Sequence, residues 1–304
     1  MALAFSQISW DAFLVALASV QPTWLVLSAV SLFVSMFLRS MRWRLVSGLP
    51  QADQPKVWEA ACVGYLGAVI YPARVGDVLR MLRLQQLTGM GGGLAIGGVV
   101  IDRIFDGLGL CCMLLVLVLA WGVGLEARQG LFGLAYLFLA AAAGAATFVV
   151  SGHRLRWLFQ RIANLGKLGV RLNRWYGECL DGLQILRSPK IIWLAFFFQG
   201  VVSLFDLLAC WLLLHAFGWN LPFLISMVVL VYIAAAVSLP STPGFVGVYQ
   251  VATLYALRPS GIDSSSAVAY GTVLQVLTLI LFSSVGIWAF LKQKARDRYR
   301  DVAG

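Results

Sequence analysis

Two apolar segments of membrane length are each interrupted by proline and glycine, and these interruptions constrain the fold more than any other feature of the chain. The first reads Tyr71-Pro72-Ala73-Arg74-Val75-Gly76-Asp77-Val78-Leu79-Arg80, and the second reads Leu239-Pro240-Ser241-Thr242-Pro243-Gly244-Phe245-Val246-Gly247. A helix broken inside a bilayer exposes backbone groups that lipid tails cannot satisfy, so such a break persists only where protein or a polar cavity covers it. The pair of breaks therefore indicates a binding site.

The composition places the chain in a membrane. Hydrophobic residues make up 61% of its 304 residues, charged residues 12%, and the mean hydropathy is +0.86. The apolar stretches run for about 17 residues or more without a period of two, which favours helices over a β-barrel. We therefore predict an all-α polytopic membrane protein, a helical bundle that forms a single transmembrane domain over residues 1–304.

The distribution of charge predicts the topology. The first span runs from Pro22 to about Leu38 and is followed by Arg39, Arg42 and Arg44, which places that end in the cytoplasm and the N-terminus outside. The loop 153–190 carries eight basic and two acidic residues, and the C-terminal tail is also basic, so both are expected inside. The uncharged turn Gly218-Trp219-Asn220 is expected outside. This arrangement predicts a multi-pass protein of the inner membrane with a cytoplasmic C-terminus.

The same signs require each broken segment to turn back within the membrane. We predict a first re-entrant hairpin at about residues 58–87 and a second at about residues 221–257, entering from opposite faces. An inverted repeat would produce this arrangement, with the two tips meeting near the midplane. In the alternative interpretation, each segment crosses the membrane with a proline kink.

The net charge of +10 does not point to nucleic acid, because the basic residues lie beside hydrophobic ends, where they fit anionic phospholipid headgroups. The five cysteines show no metal-binding spacing, and the only histidines are His153 and His215. There is no HExxH motif, nucleophile elbow or P-loop. We therefore predict no cofactor, no metal site and no enzymatic activity.

Charged residues at the first break are candidates for substrate contact. Arg74, Asp77 and Arg80 are spaced by three, so a short helix would present them on one face, and Gly76 allows close backbone approach. Two guanidiniums on one face suit a phosphate, which they can grip in bidentate fashion. The alternatives are a self-neutralising ion network or an anchor at the membrane interface.

A second charged group, Asp102, Arg103 and Asp106, begins a very apolar helix. Carboxylates this close to hydrocarbon must be paired or neutralised, and the expected partners are Arg103, Arg74 and Arg80. The group either contacts the substrate or joins helices to hold the first hairpin. Asp206 has no basic residue within a turn, so it is either a proton-coupling site or the partner of an arginine on another helix.

The residues at the second break carry no charge. Pro243 and Gly244 are predicted to open a short helix whose free amides form an anion site, and Tyr249 and Gln250 offer neutral hydrogen bonds nearby.

At these residues the chain resembles the flippase-like membrane domain of lysylphosphatidylglycerol synthases, the multiple peptide resistance factors, which also occurs in stand-alone bacterial and archaeal proteins. The resemblance covers most of the chain and rests on Leu38-Arg39-Ser40-Met41-Arg42-Trp43-Arg44, Arg74 to Arg80, Asp102 to Asp106, and Pro243-Gly244-Phe245-Val246-Gly247-Val248-Tyr249-Gln250. The family pattern usually has Glu at Asp77, Gly at Phe245 and an acid at Gln250. The last difference removes a candidate proton or cation site.

The resemblance implies movement of a lipid between leaflets. The expected substrate is a polar-headed lipid, anionic or phosphate-bearing, that passes between the hairpin tips. Arg74, Arg80 and Arg103 would hold the headgroup, while Asp77, Asp102 and Asp106 orient them or exchange protons. Two other functions remain open: a non-transporting scaffold for a lipid-modifying or glycan-assembling enzyme, and a secondary transporter of a small anion. A lipid-modifying enzyme or a second copy of the chain is a candidate partner.

Overall fold

The computed structural model describes residues 9–48, 54–72, 75–121, 188–238 and 242–303, together with the single residues 140 and 177. The predicted role of Arg74 and nearly all of the predicted cytoplasmic loop 153–190 fall outside this part of the chain. So does the apolar stretch at about 131–150, which the sequence predicts as a further span.

The described residues form helices and turns, and none of them forms a strand. The all-α prediction is confirmed. In chain order the helices are α1 (Trp10–Ala18), α2 (Pro22–Val46), α3 (Gln54–Ile70), α4 (Val75–Thr88), α5 (Gly92–Trp121), α6 (Pro189–Ala216), α7 (Phe223–Ser238), α8 (Val248–Leu257) and α9 (Ser264–Ala303). Single 3₁₀ turns occupy Pro243–Phe245 and Arg258–Ser260.

Three helices are long and apolar enough to cross a membrane: α2, α6, and the Ser264–Arg296 part of α9. The chain is therefore a multi-pass membrane protein. By contrast, α3, α4, α7 and α8 contain 17, 14, 16 and 10 residues. The hydrocarbon core needs about 20 helical residues, with a range of about 17–25. Helices α4, α7 and α8 are therefore too short to span it alone, and α3 is at the lower limit.

The first span does not end at Leu38, because α2 continues through Arg39, Arg42 and Arg44 to Val46. The prediction treated these arginines as markers of the cytoplasmic end of the span. In the structure the side chain of Arg42 is only 1% exposed and pairs with Asp102 of α5, so its charge is neutralised inside the bundle. Likewise, the apolar pattern predicts a last span from about Ala267 to Leu291, whereas α9 continues to Ala303.

Helices α2 and α6 form a close antiparallel pair. The backbone N–H of Gln21 donates to the carbonyl of Ala216 at 2.8 Å, near one end of the pair. Further along, the buried hydroxyls of Ser28 and Ser31 donate to carbonyls of α6 at 2.8 and 2.7 Å. Small side chains such as serine let two helices approach closely in a membrane.

The first break produces a tight helical hairpin from α3 and α4. A Cβ added at Gly76 would clash with the carbonyl oxygen of Gly64 and would lie 2.8 Å from the backbone nitrogen of Ala68. A Cβ added at Gly67 would lie 2.9 Å from the Cα of Gly76. The absence of side chains at these glycines therefore allows the two helices to touch, and the sequence prediction of close approach at Gly76 is confirmed.

The first hairpin approaches α9 from that helix's C-terminal end. Glu59, near the start of α3, pairs with Arg296 at 2.7 Å. One turn on, a Cβ added at Gly286 would lie 3.1 Å from the carbonyl of Cys62. Tyr65 then stacks against Phe282, with ring centroids 4.7 Å apart. Helix α3 thus runs antiparallel to α9 towards the middle of α9.

The second hairpin, α7 and α8, approaches α9 from the other end. Thr253 of α8 donates to the carbonyl of Ala267, and Gln250 donates to Gln275 at 2.8 Å. At the tip, a Cβ added at Gly244 would lie 3.4 Å from the side chain of Leu279 and 3.8 Å from the carbonyl oxygen of Val69 in the first hairpin. The two tips therefore meet near the middle of the apolar Ser264–Arg296 stretch.

The element order has the form that an inverted repeat predicts. Each half consists of a long helix, a hairpin of short helices and a second long helix: α2 to α5 in one half, and α6 to α9 in the other. One apolar core, which includes Trp43, Val57 and Ile101, belongs mainly to the first half. Another, which includes Leu213 and Tyr270, belongs to α1 and the second half.

Candidate functional site

A network of arginines and aspartates lies where the first hairpin meets α2, α5 and α6. The described residues contribute four residues of each sign, so their formal charges cancel. The members are Arg39 and Arg42 of α2, Asp77 and Arg80 of α4, Asp102, Arg103 and Asp106 of α5, and Asp206 of α6. Each of the eight has at least one ion-pair partner. This matches the alternative of a self-neutralising network.

Asp102 lies at the buried centre of this network. Its side chain is buried and accepts hydrogen bonds from Arg42 at 2.7 Å and from Arg80 at 2.9 Å. The guanidinium of Arg80 also lies over the Trp43 ring, 4.8 Å from its centroid. Through these contacts Asp102 joins α5 to both α2 and the first hairpin. Arg80 was expected as its partner, whereas Arg42 was not.

Asp106, one turn further along α5, is bound by three guanidiniums. Its Oδ1 accepts from Arg39 at 3.2 Å and from Arg42 at 2.7 Å, and its Oδ2 accepts from Arg103 at 3.0 Å. Three convergent guanidiniums around one carboxylate form a geometry that suits an anion.

The four arginines differ in their access to open space. The side chains of Arg39 and Arg103 are 34% and 40% exposed, whereas those of Arg42 and Arg80 are 1% and 11% exposed. Arg103 also binds Asp77 at 2.7 Å. Arg39 and Arg103 are therefore the guanidiniums that an incoming group can reach, while Arg42 and Arg80 are held within the protein.

Asp206 is the partner of an arginine on another helix, one of the two alternatives that the sequence left open. It binds the Arg39 guanidinium and also accepts a hydrogen bond from the Ser35 hydroxyl. Both partners lie on α2.

Two adjoining cavities open beside this network. Their volumes are about 290 and 240 Å³, and both are lined by Arg39, Arg103 and Asp106. The larger cavity extends between α5, α6, α7 and α9 and has mostly apolar walls. The smaller one extends to the hairpin tips and is also lined by Gly76, Asp77, Arg80, Asp102, Thr242 and Phe245. Tyr249 lines both cavities.

Several buried donors beside the cavities have no acceptor among the described residues: Nη1 of Arg42, Nε of Arg80 and Nε of Arg103. Buried polar atoms in folded proteins are nearly always satisfied by protein, water or a ligand. These donors therefore add to the capacity of the site for an acceptor-rich group.

The family model described as lysylphosphatidylglycerol synthase TM region matches residues 1–286 of the chain. The chain belongs to this family. Comparisons with curated proteins and with solved structures found no significant match. The family match confirms the resemblance stated from the sequence, and together with the membrane-spanning helices it indicates a function related to membrane lipids.

Four of the residues that the sequence predicted as substrate contacts line neither cavity: Pro243, Gly244, Gly247 and Gln250. The helix that Pro243 and Gly244 were predicted to open does not begin at these residues, and the anion site predicted there stays a prediction. They form part of a single 3₁₀ turn, and α8 begins only at Val248, because Gly247 adopts a left-handed conformation with φ +83°.

Gln250 holds the second tip in place instead of facing a cavity. Its side-chain amide donates to Oε1 of Gln275, whose own amide donates to the carbonyl of Gly244 at 2.7 Å. The acid that the family usually has at Gln250 would lack the amide that donates to Gln275.

Phe245 stands where the family usually has glycine, and its backbone shows why. Its φ is +58°, in the left-handed region that favours glycine. The aromatic ring lies 6.4 Å from that of Tyr249, and the residue lines the smaller cavity.

The sequence interpretation missed Arg39 and Arg42 as site residues because it used them as topology markers and as part of the family resemblance, but assigned them no contact. A periodic signal was present. Polar residues recur along α2 at helical spacing, and they face α5 and α6: Ser28, Ser31, Ser35, Arg39 and Arg42. A polar stripe of this kind on a membrane-length helix indicates a buried functional face.

Proposed function

We propose that this protein moves a lipid with a phosphate-bearing headgroup between the two leaflets. The headgroup passes through the adjoining cavities while the acyl chains stay in the bilayer. One observation carries the proposal: Arg39 and Arg103, the two accessible guanidiniums of the network, face both cavities beside the meeting point of the hairpin tips.

The arginines have different roles in this proposal. Arg39 and Arg103 contact the phosphate, since each is partly exposed and guanidinium binds phosphate in bidentate fashion. Arg42 and Arg80 position the site through Asp102. Arg74 remains a predicted substrate contact, and Asp77 orients Arg103 through their 2.7 Å hydrogen bond.

The hairpins are re-entrant in this proposal, and they enter from opposite faces. Support comes from the shortness of their helices and from the meeting of their tips beside the middle of α9. The end of the bundle that carries Arg83, Lys292 and Arg296 is basic, which supports a cytoplasmic location for it, an outside N-terminus and an inner-membrane protein.

The cavity volumes support passage of a headgroup and not of a whole lipid. At about 290 and 240 Å³ each cavity is near or below the lower limit of small-molecule sites, which span roughly 300–1,000 Å³. Transport needs no covalent step, so we retain the prediction that the chain is not an enzyme. A lipid-modifying enzyme remains a proposed partner that would supply or consume the lipid.

Reconstitution into vesicles tests this function. Phosphatidylglycerol with a fluorescent label is placed in both leaflets, and dithionite is added outside the vesicles. The fraction of the fluorescence that stays protected from dithionite reports movement of the lipid between leaflets. We expect movement with the wild-type protein and a loss of at least tenfold in rate with Arg39→Ala or Arg103→Ala, because each removes a charge-assisted hydrogen bond of roughly 1.5–3 kcal/mol. Arg44→Ala is the matched control, since Arg44 lies on the same helix and lines neither cavity.

The alternatives give different results in the same vesicles. A transporter of small anions would take up radiolabelled inorganic phosphate without moving the labelled lipid. A scaffold would move neither. Unimpaired lipid movement in both alanine variants would contradict the assigned site.

A further inference from the structure

We infer that the Asp106 carboxylate takes the place of the substrate's phosphate while no lipid is bound. In that state Asp106 occupies the anion site between Arg39 and Arg103. When the lipid headgroup displaces it, Asp106 takes up a proton. The inference rests on the proposed function and adds to it the way in which lipid binding is linked to protons.

The first argument is geometric. Asp106 bridges the two accessible guanidiniums, at 3.2 Å from Arg39 Nη1 and 3.0 Å from Arg103 Nη1. It lines both cavities together with these arginines. An anion that binds both arginines through these same Nη1 atoms competes directly with this carboxylate.

The second argument is charge. The described network holds four arginines and four aspartates, so a monoanionic phosphate that enters it leaves one negative charge in excess. A partly buried carboxylate that loses two of its three cationic partners, as Asp106 would, is less stable in its charged form, and protonation relieves this cost. A proton from water that binds the displaced Asp106 restores the balance: one anion enters, one proton enters, and the net charge stays the same.

Asp106 is the aspartate of the network best suited to this exchange. Asp102 is buried between Arg42 and Arg80, which are themselves largely inaccessible. Asp206 is anchored by Ser35 in addition to Arg39. Asp77 lines the smaller cavity but binds Arg103 and Arg80, and it does not contact Arg39.

The charged and titratable groups around Asp106 lie on six helices, whereas α7 and α9 contribute only uncharged side chains to the cavities. They are Arg39 and Arg42 of α2, Tyr65 of α3, Asp77 and Arg80 of α4, Asp102 and Arg103 of α5, Asp206 of α6 and Tyr249 of α8. The arginines favour the ionised carboxylate while the site is empty. Phosphate competes for Arg39 and Arg103, which leaves Arg42 as the one guanidinium of the described network that still binds Asp106 and so weakens that preference.

Titration calorimetry with dihexanoyl-phosphatidylglycerol as the probe tests the exchange. The purified protein is titrated in buffers of different ionisation enthalpy, which gives the number of protons taken up per lipid bound. We expect about one proton for the wild-type protein, and binding that weakens by about tenfold per pH unit over the range in which the exchange occurs. Asp106→Asn should take up no proton and should bind the probe at least tenfold more tightly, independently of pH.

Asp263→Asn is the control, because it makes the same chemical change outside the network. It should leave the number of protons taken up and the affinity for the lipid probe unchanged. Binding by the wild-type protein without proton uptake would overturn the inference while leaving the proposed function intact. Uptake that persists in Asp106→Asn would assign the proton to another residue and also overturn it. If Asp106→Asn does not fold, the wild-type proton count and pH series still decide. An absence of both binding and lipid movement would remove the proposed function itself.

Discussion

The two hairpins are similar in architecture but are held by different chemistry. The first is held by ion pairs: Arg80 to Asp102, Arg103 to Asp77, and Arg83 to Glu59. The second is held by neutral hydrogen bonds, with Gln250, Gln275 and Thr253 bonding to one another and to backbone carbonyls. One half of the fold thus carries charge at depth, and the other supports it with neutral contacts.

This difference separates two tasks. Loss of one member of a buried ion pair leaves an uncompensated charge, which costs about 3–5 kcal/mol. Loss of a neutral hydrogen bond costs about 1–3 kcal/mol when its partner is left buried. The charged hairpin is consequently the more sensitive to substitution. It lines the smaller cavity, next to the accessible Arg39 of α2 and Arg103 of α5.

Asp102→Ala is expected to have the largest effect on stability. It leaves Arg42 and Arg80 buried without their main partner, so the free energy of unfolding should fall by about 3–5 kcal/mol. Unfolding of the purified protein in detergent, followed as a function of denaturant, measures this loss. The control is Asp102→Leu combined with Arg42→Met, which should recover part of the lost stability, since Arg80 is then the only one of the two arginine partners left with an unpaired charge at this position.

The sequence predicted the short helices and both breaks well, since proline, glycine and apolar length act locally. It failed where partners are distant along the chain. Asp206 meets Arg39 across 167 positions, and Asp102 meets Arg42 across 60. Because such pairs were not visible, Arg42 was interpreted as a marker of the cytoplasmic end of the first span, and that span was ended at about Leu38 although α2 continues to Val46.

The second tip shows another limit of the sequence. Pro243 and Gly244 are ordinary signals for the start of a helix, yet α8 begins after Gly247, whose φ is +83°. The position of the turn depends on the contact of Gly244 with Gln275, a residue of a different helix. Local propensity alone therefore placed the start of the helix too early.

Glu59→Gln is expected to have an intermediate effect. Glu59 is buried and binds Arg83, Arg296 and Lys292, so the substitution removes the charge that joins the first hairpin to α9. The loss should be about 1–3 kcal/mol, smaller than for Asp102→Ala, because Lys292 and Arg296 can turn to water. The same denaturant series measures it, with Lys294→Gln as a control on α9. A loss larger than that of Asp102→Ala would break the proposed ranking of the ion pairs.

Gln275→Leu probes the neutral hairpin. The change removes the amide that binds the Gly244 carbonyl and the acceptor that binds Gln250, at similar side-chain volume. We expect a loss of about 1–2 kcal/mol and lipid movement that is reduced less than in Arg39→Ala. Denaturant unfolding and the vesicle assay measure the two quantities. Abolished movement at unchanged stability would mean that the second hairpin takes part in transport more directly than its neutral contacts indicate.

The smallest effect is expected at Phe245, and it is tested by comparing two substitutions with each other. Glycine and alanine both remove the aromatic ring and its contact with Tyr249, so the loss of packing largely cancels in the comparison. What remains is the backbone, whose φ of +58° costs a non-glycine residue about 1–2 kcal/mol. Phe245→Gly should therefore be more stable than Phe245→Ala by about 1 kcal/mol, the reverse of the order expected in a helix interior. Denaturant midpoints of the two variants measure the difference. If Phe245→Ala proves as stable as Phe245→Gly, or more stable, the second tip does not hold a left-handed turn at this residue. The neutral hairpin would then lack the defined turn that the comparison with the charged hairpin assumes.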